Sequence, residues 1–131
     1  MHQFTIKRSK WLRNPKKSVL LNGKGSMCCL GFYLKSCGVP KKYLLNVNTP
    51  AEITISLPPQ CLWLLNGIDI QEEDTKKRKT SSWDNVSKEV LQLITVNDSW
   101  RYQGRELTEK DREIQIIKLF AQQDIEVIFE D

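Results

Sequence analysis

A short glycine loop followed by closely spaced cysteines is the part of the chain whose residue types could do chemistry. We expect Ser26 to cap a helix, which places Cys28 and Cys29 in the first helical turn. Unpaired backbone N–H groups and the positive end of the helix dipole favour a thiolate there. A helical wheel also brings Cys28 close to Lys35, whose charge would help the thiol to ionise. Cys28 is therefore the candidate reactive thiol.

Catalysis by a cysteine also needs a base, and the only histidine of the chain is His2. We expect His2 to lie in a loose terminus, so the sequence assigns no catalytic residue. It predicts a protein that is not an enzyme, with a cysteine-dependent activity as the alternative. The cysteines lack the paired C-x-x-C spacing of zinc sites, and we expect free thiols with neither a metal nor a cofactor.

The glycine loop itself, Gly23-Lys24-Gly25-Ser26, precedes the expected start of the helix and could receive an anion on its N–H groups. It lacks the G-x-x-x-x-G-K-[ST] spacing of nucleoside triphosphatases, so nucleotide hydrolysis is not expected. Two interpretations stay open. The loop is either a site for a small nucleotide or a turn that leads into a capped helix.

The net charge of +4 conceals an uneven distribution. The chain up to Ala51 contains ten lysines and arginines and no acid, and the remainder contains sixteen acids and ten bases. If the basic part forms one face, it would attract nucleic acid, phosphates or an acidic protein. The alternative is a solvated surface that acids from the rest of the fold neutralise. The candidate residues for binding a partner or an anion are Lys7, Arg8, Lys10, Arg13, Lys16, Lys17, Lys24, Ser26, Cys28 and Lys35.

Hydrophobic patterning predicts an α+β fold, with a single small domain over residues 1–131. One mainly antiparallel sheet is expected to pack against two or three helices, and a central apolar helix is expected near 27–37. The polar stretch 71–82 is predicted to be a mobile loop inside the domain. Strands are expected at 4–6, 18–21 and 125–129. Strand or an extended segment is expected at 53–57, strand or helix at 61–65, and at 83–96 a helix capped by Ser82, with strand as the alternative.

Two of the expected helices carry more detailed predictions. Gly31 costs about 1 kcal/mol relative to alanine inside a helix, which indicates that another backbone approaches closely at that position. The best defined helix is expected from Glu109 to about Gln122, behind a cap at Thr108 that resembles a capping box. The residues predicted to form its apolar stripe are Ile114, Ile117 and Ala121, widened by Ile116 and Phe120.

The chain shows no apolar run of the roughly 18 residues that a membrane helix needs, and its first residues alternate in polarity. A secretory signal would instead contain an uninterrupted apolar block. We therefore expect an intracellular protein that does not contact membranes.

Several segments carry a resemblance to a known group. They are Lys24-Gly25-Ser26-Met27-Cys28-Cys29-Leu30-Gly31-Phe32 with Cys37-Gly38, the start Arg8-Ser9-Lys10-Trp11-Leu12-Arg13, the segment Val96-Asn97-Asp98, and a helix with an acidic start that runs into a final strand. In these segments the chain resembles small uncharacterised proteins of bacteriophages and prophages, whereas residues 41–82 look idiosyncratic. The resemblance implies a context and no catalytic residue, because small accessory phage proteins often bind host factors or block host defence.

Charge and resemblance together predict a non-enzymatic phage accessory protein that binds a host protein in the cytoplasm of the bacterial host, with inhibition of a defence enzyme as one form of that binding. The first alternative is a nucleic-acid-binding protein that uses the basic N-terminal part. The second is a protein that binds a small nucleotide signal through the glycine loop and the helix start.

Overall fold

The computed structural model describes residues 2–13, 19–65, 85–99 and 101–131. The regular elements within these ranges are β1 (His2–Lys7), α1 (Cys29–Ser36), α2 (Lys88–Asp98), β2 (Arg101–Tyr102), β3 (Arg105–Glu106), α3 (Glu109–Ala121) and β4 (Ile125–Glu130). Short 3-10 helices occupy Arg8–Lys10, Lys41–Tyr43, Pro50–Glu52 and Pro59–Leu64. The stretch predicted as a mobile loop, 71–82, lies outside the described residues.

The two longest strands pair in parallel, so the prediction of one mainly antiparallel sheet is wrong. β1 lies beside β4 with Phe4 opposite Val127, and the described strands otherwise form only the antiparallel pair β2–β3. Alternation correctly predicted strands at both ends of the chain because every second residue of each faces the core. Periodicity does not encode a strand's partner or direction, so it could not show that the chain returns to its start in parallel.

In three shorter segments the structure departs from the prediction or decides between its alternatives. Residues 19–21 form no strand, since Leu21 makes only isolated bridges with Met27 and Leu45. The segment 53–57 forms no strand, and its residues 54 and 55 form a bend. Most of the apolar segment 61–65 lies in the 3-10 helix Pro59–Leu64, which settles an ambiguity that its short length left open.

Helix α1 begins later than predicted. Its N-cap is Cys28, whereas Ser26 donates its N–H to Asn22 Oδ1 at 2.9 Å and belongs to the preceding turn. The close backbone predicted at Gly31 is confirmed, because a Cβ atom there would lie 2.2 Å from the carbonyl oxygen of Leu20. The central position of α1 is confirmed as well, and the residues it buries are Cys29, Leu30, Gly31, Tyr33 and Leu34.

Helix is confirmed over strand for most of the segment 83–96, but α2 begins only at Lys88, and Ser87 is its cap. The predicted cap Ser82 lies outside the described residues. The cap predicted for α3 is confirmed, since Thr108 Oγ1 accepts the N–H of Asp111 at 3.0 Å. The predicted stripe of α3 is largely wrong, because Ile114 and Ile117 are 38% and 40% exposed. The residues that α3 buries are Arg112, Ile116, Leu119 and Phe120.

A buried arginine explains the rotation of α3. Arg112 is 4% exposed and its Nη1 donates to three carbonyl oxygens at the carboxyl end of α2, those of Val96, Asn97 and Ser99, at 2.6, 2.9 and 2.8 Å. These bonds satisfy carbonyls that the end of a helix leaves unpaired. Hydrophobic patterning assigns a charged residue such as Arg112 to the solvent-exposed face of a helix. The predicted apolar stripe of α3 was therefore placed on a different face from the one that is buried.

The buried apolar side chains form one cluster. β1 and β4 contribute Phe4, Ile6, Ile125 and Val127; α1 packs on β1, α3 packs on β4, and α2 contacts both helices. The rings of Phe4, Tyr33, Trp63 and Phe120 meet inside it with centroids 5.0 to 5.9 Å apart. In the part of the chain that the structure describes, no helix has the length and apolar character to cross a membrane.

Candidate functional site

The two arginines proposed for partner binding are held by carboxylates of the protein itself. Arg8 pairs with Glu113 and Asp131, with N–O distances of 2.8 Å to each, and Arg13 Nε lies 2.7 Å from Glu109. The hydrogen bonds that Arg8 donates to Glu113 are the largest cause that raises the pKa of Arg8. Both guanidinium groups therefore join the start of the chain to α3, and that of Arg8 also joins it to the residue that follows β4.

The lysines of the same region line an open groove of about 560 Å³. Lys7 ends β1, Lys10 lies in the following 3-10 helix, and Lys35 lies in α1. Lys41 completes the set of four, and among the described residues Glu130 is the only acidic one in the lining. Among the described residues, none of the four ammonium groups has an ion pair. The groove therefore carries an excess of positive charge that the rest of the described fold leaves unneutralised.

The lining of the groove is not wholly polar. Met27 and Phe32 contribute to it; Met27 is 3% exposed, so the partly buried Phe32 supplies the accessible apolar surface. Such a surface offers charge to carboxylates or phosphates and an apolar patch to a side chain or a base.

The structure brings together only part of the predicted set. Lys7, Lys10 and Lys35 line the groove, whereas Lys24 lies in the exposed turn and its N–H donates to Asn22 Oδ1 at 3.0 Å. Ser26 contributes its backbone to that turn, and Lys16 and Lys17 lie outside the described residues.

Lys41 belongs to the groove and was absent from the predicted set. The chain reverses after α1 because Gly38 adopts a φ of +102° and Val39 donates its N–H to Leu34 O at 3.1 Å. This is a helix end of the Schellman type, and it returns Lys41 toward Lys35. The Gly38-Val39-Pro40 stop signal in the sequence contained the information needed to place Lys41 there.

Cys28 is not the accessible thiol that its position suggested. Its side chain is 6% exposed, and burial raises its pKa from 9.0 to about 12. The backbone N–H groups of the helix start do lower the pKa, as expected, but their effect is smaller than that of burial. Burial likewise raises the pKa of Cys29. Both thiols are packing residues at the start of α1.

The histidine is placed against a different cysteine. His2 lies in β1 opposite Ile125, so it is not in a loose terminus. Its Nε2 is 2.9 Å from Ser36 Oγ and 3.8 Å from Cys37 Sγ. Cys37 is the one cysteine of the four that is not fully buried. Within the described ranges, no group of three His, Cys, Asp or Glu side chains could hold a metal ion.

One buried asparagine, which sequence reasoning missed, joins the segments that position the groove. Asn97 Oδ1 accepts the indole N–H of Trp11 at 2.8 Å and the N–H of Cys29 at 3.1 Å. Asn97 Nδ2 donates to Leu12 O at 2.9 Å. The 3-10 helix that carries Lys10 and the start of α1 are thus fixed to the end of α2. The only signal was a polar residue beside the apolar stripe of a helix, which does not reveal its partners.

The fold and the site define a small protein of mixed helices and strands with a lysine groove beside a parallel strand pair. A scan against models of known protein families found no match, and neither did searches of curated proteins and of solved structures.

Proposed function

We propose that this protein is a non-enzymatic phage accessory protein, and that its lysine groove binds an acidic segment of a bacterial host protein. The observation that carries the proposal is the set of four lysines around one groove with a single carboxylate among them. Charges left without partners on a folded surface attract opposite charge over roughly a Debye length, about 8 Å at physiological ionic strength. The groove therefore selects for acidic partners.

The mixed lining favours a protein segment over a bare anion. Carboxylates of an acidic segment would pair with Lys7, Lys10, Lys35 and Lys41, while an apolar side chain of the same segment would pack on Phe32. Interfaces gain most of their affinity from such desolvated apolar anchors, and charge supplies specificity and association rate. The resemblance to phage proteins supports a bacterial host as the source of the partner, and a defence enzyme is the kind of target that such proteins inhibit.

The second candidate function is binding of single-stranded nucleic acid. It is favoured by one observation, the aromatic ring of Phe32 in a basic groove, since proteins of this kind combine positive charge with aromatic surfaces on which bases stack. Fluorescence anisotropy with a labelled thymidine oligonucleotide at low salt measures it. Affinity that falls steeply with salt and falls again in Phe32→Ala would favour this candidate over the first.

The test of the first candidate uses two charge-reversal variants of equal net charge. The groove variant carries Lys7→Glu, Lys10→Glu and Lys35→Glu; the control variant carries Lys88→Glu, Lys110→Glu and Lys118→Glu, at exposed positions of α2 and α3 outside the groove. Each tagged protein is incubated with a nuclease-treated bacterial lysate. The captured proteins are identified by mass spectrometry and then tested as purified proteins by calorimetry.

We expect the wild-type and control proteins to bind the same purified partner and the groove variant to lose at least tenfold in affinity. Raising the salt from 0.15 to 1 M should weaken the wild-type complex, because the Debye length falls from about 8 to about 3 Å. Equal affinity of the groove variant and the wild type would refute the proposal. So would an affinity loss of the same size in the control variant, since net charge alone would then explain it.

A further inference from the structure

The carboxyl end of α1 holds a cluster of reactive groups that the groove does not use. Cys37 follows the helix directly and is partly exposed, and His2 Nε2 lies 3.8 Å from its sulfur. His2 is fixed by strand pairing and by an edge-on contact with the ring of Tyr33, with centroids 5.5 Å apart. The imidazole therefore has a defined position beside the thiol.

The hydrogen bonds around Ser36 define which nitrogen of His2 carries a proton. The hydroxyl of Ser36 donates to Tyr33 O at 2.6 Å, so its oxygen must accept at 2.9 Å from the N–H of His2 Nε2. That N–H also faces Cys37 Sγ. A thiolate at Cys37 would accept a hydrogen bond from this N–H across 3.8 Å.

A second thiol lies near Cys37 on the core side. Cys61 is fully buried in the 3-10 helix Pro59–Leu64. The Tyr33 hydroxyl donates to the carbonyl of its neighbour Gln60, and the carbonyl of Tyr33 accepts the N–H of Cys37. Burial is the largest cause that raises the pKa of Cys61, and the neighbouring Cys37 side chain raises it further. The cluster therefore pairs an accessible thiol, supported by an imidazole, with a buried thiol that stays protonated.

We propose that Cys37 and His2 form a reactive thiol–imidazole pair, and that hydrogen peroxide converts Cys37 and Cys61 into an intramolecular disulfide. This modification site is independent of the proposed binding function.

The reaction has two steps. The Cys37 thiolate attacks one peroxide oxygen, the O–O bond breaks, and the leaving hydroxide takes a proton from the imidazolium of His2, which gives a sulfenic acid and water. The Cys61 thiol then passes its proton to the sulfenic oxygen as its sulfur attacks the Cys37 sulfur, the S–O bond breaks, and water leaves. Two thiols are oxidised to one disulfide and one peroxide is reduced to two waters.

The first experiment measures the alkylation rate of each cysteine in the folded wild-type protein with iodoacetamide at pH 7.5, by peptide mass spectrometry. We expect Cys37 to react at least tenfold faster than Cys28, Cys29 and Cys61. This measurement needs no substitution and so does not depend on the stability of a variant. Reaction of Cys28 at a rate equal to that of Cys37 would overturn the proposal.

The role of the imidazole is tested with His2→Gln and with the swap His2→Gln/Gln3→His. The swap keeps one imidazole in the chain but moves it to the adjacent residue of β1, whose side chain points to the opposite face of the strand. We expect both variants to lower the Cys37 alkylation rate at least threefold. A swap variant that retains the wild-type rate would show that the position of the imidazole is irrelevant and would overturn the pairing.

The disulfide is tested by treating the wild type with hydrogen peroxide and mapping its peptides without reduction. We expect a Cys37–Cys61 linked peptide and the loss of two thiols per molecule. Cys61→Ser should instead accumulate a sulfenic acid at Cys37, which dimedone traps. A linked peptide that joins a different pair, or a Cys37 thiol that survives the treatment, would overturn the proposal.

Discussion

Asn97→Ala should be the most destabilising single replacement of a polar side chain in the described fold. The asparagine accepts from the Trp11 indole and the Cys29 N–H and donates to Leu12 O, and it is 1% exposed. Removing it leaves two buried donors without an acceptor, and each unsatisfied buried group costs about 1–3 kcal/mol. We expect the free energy of unfolding to fall by about 3 kcal/mol, which lowers the melting temperature by roughly 10 °C for a chain of this length.

Equilibrium unfolding in urea measures this loss. The matched control is Asn48→Ala, because Asn48 Oδ1 is buried and has no hydrogen-bond partner among the described residues, so no satisfied bond of that oxygen is broken. We expect the control to change the free energy of unfolding by less than about 1 kcal/mol. If Asn97→Ala costs no more than Asn48→Ala, the three bonds do not stabilise the fold and the reasoning is refuted.

Three further substitutions or conditions give defined outcomes. Gly31→Ala should lower the free energy of unfolding by about 2 kcal/mol, because the overlap with Leu20 O outweighs the gain of about 1 kcal/mol in helix propensity. The control Gly23→Ala should be near neutral in thermal melts, since a Cβ atom at Gly23 meets no atom within 4 Å. Arg112→Met should cost about 2 kcal/mol in urea, because three carbonyls at the end of α2 lose their donor; a neutral result would contradict their role. The free energy of unfolding should fall as the pH rises from 9 to 12, by about 1.4 kcal/mol per pH unit from Cys28. The reason is that this thiol stays protonated in the folded protein to about pH 12 but ionises near 9.0 in the unfolded chain. Cys28→Ala should show a shallower decline.

The parts of the fold that were predictable from sequence are those that local geometry determines. The Thr108 cap depends on one side chain and an N–H three residues later, and alternation in β1 depends on neighbours two residues apart. Gly31 was informative because its cost inside a helix needs a compensating close contact, and Leu20 O provides it. These signals need no knowledge of which distant segments meet.

The parts that were not predictable depend on long-range pairing of polar groups. Arg112 is buried because its guanidinium donates to carbonyls 13 to 16 residues earlier in the chain. The sequence does not reveal that the end of α2 lies beside this arginine. His2 meets Cys37 because β1 pairs with β4 in parallel and α1 packs on β1. Charge counting found the basic region, but it could not separate the arginines held by acids from the lysines that are not.

Helix α1 holds both proposed sites in place. Phe32 and Lys35 line the groove, while Ser36 lines it and also accepts from His2 beside Cys37. The start of the helix is fixed by the Cys29–Asn97 bond and its middle by the backbone contact at Gly31. Because these constraints lie in the core, the groove lysines and His2 can be exchanged without touching them. Loss of partner binding in the groove variant, with unchanged Cys37 reactivity, would therefore report on the groove alone. Reduced Cys37 reactivity in His2→Gln, with unchanged partner binding, would report on the thiol–imidazole pair alone.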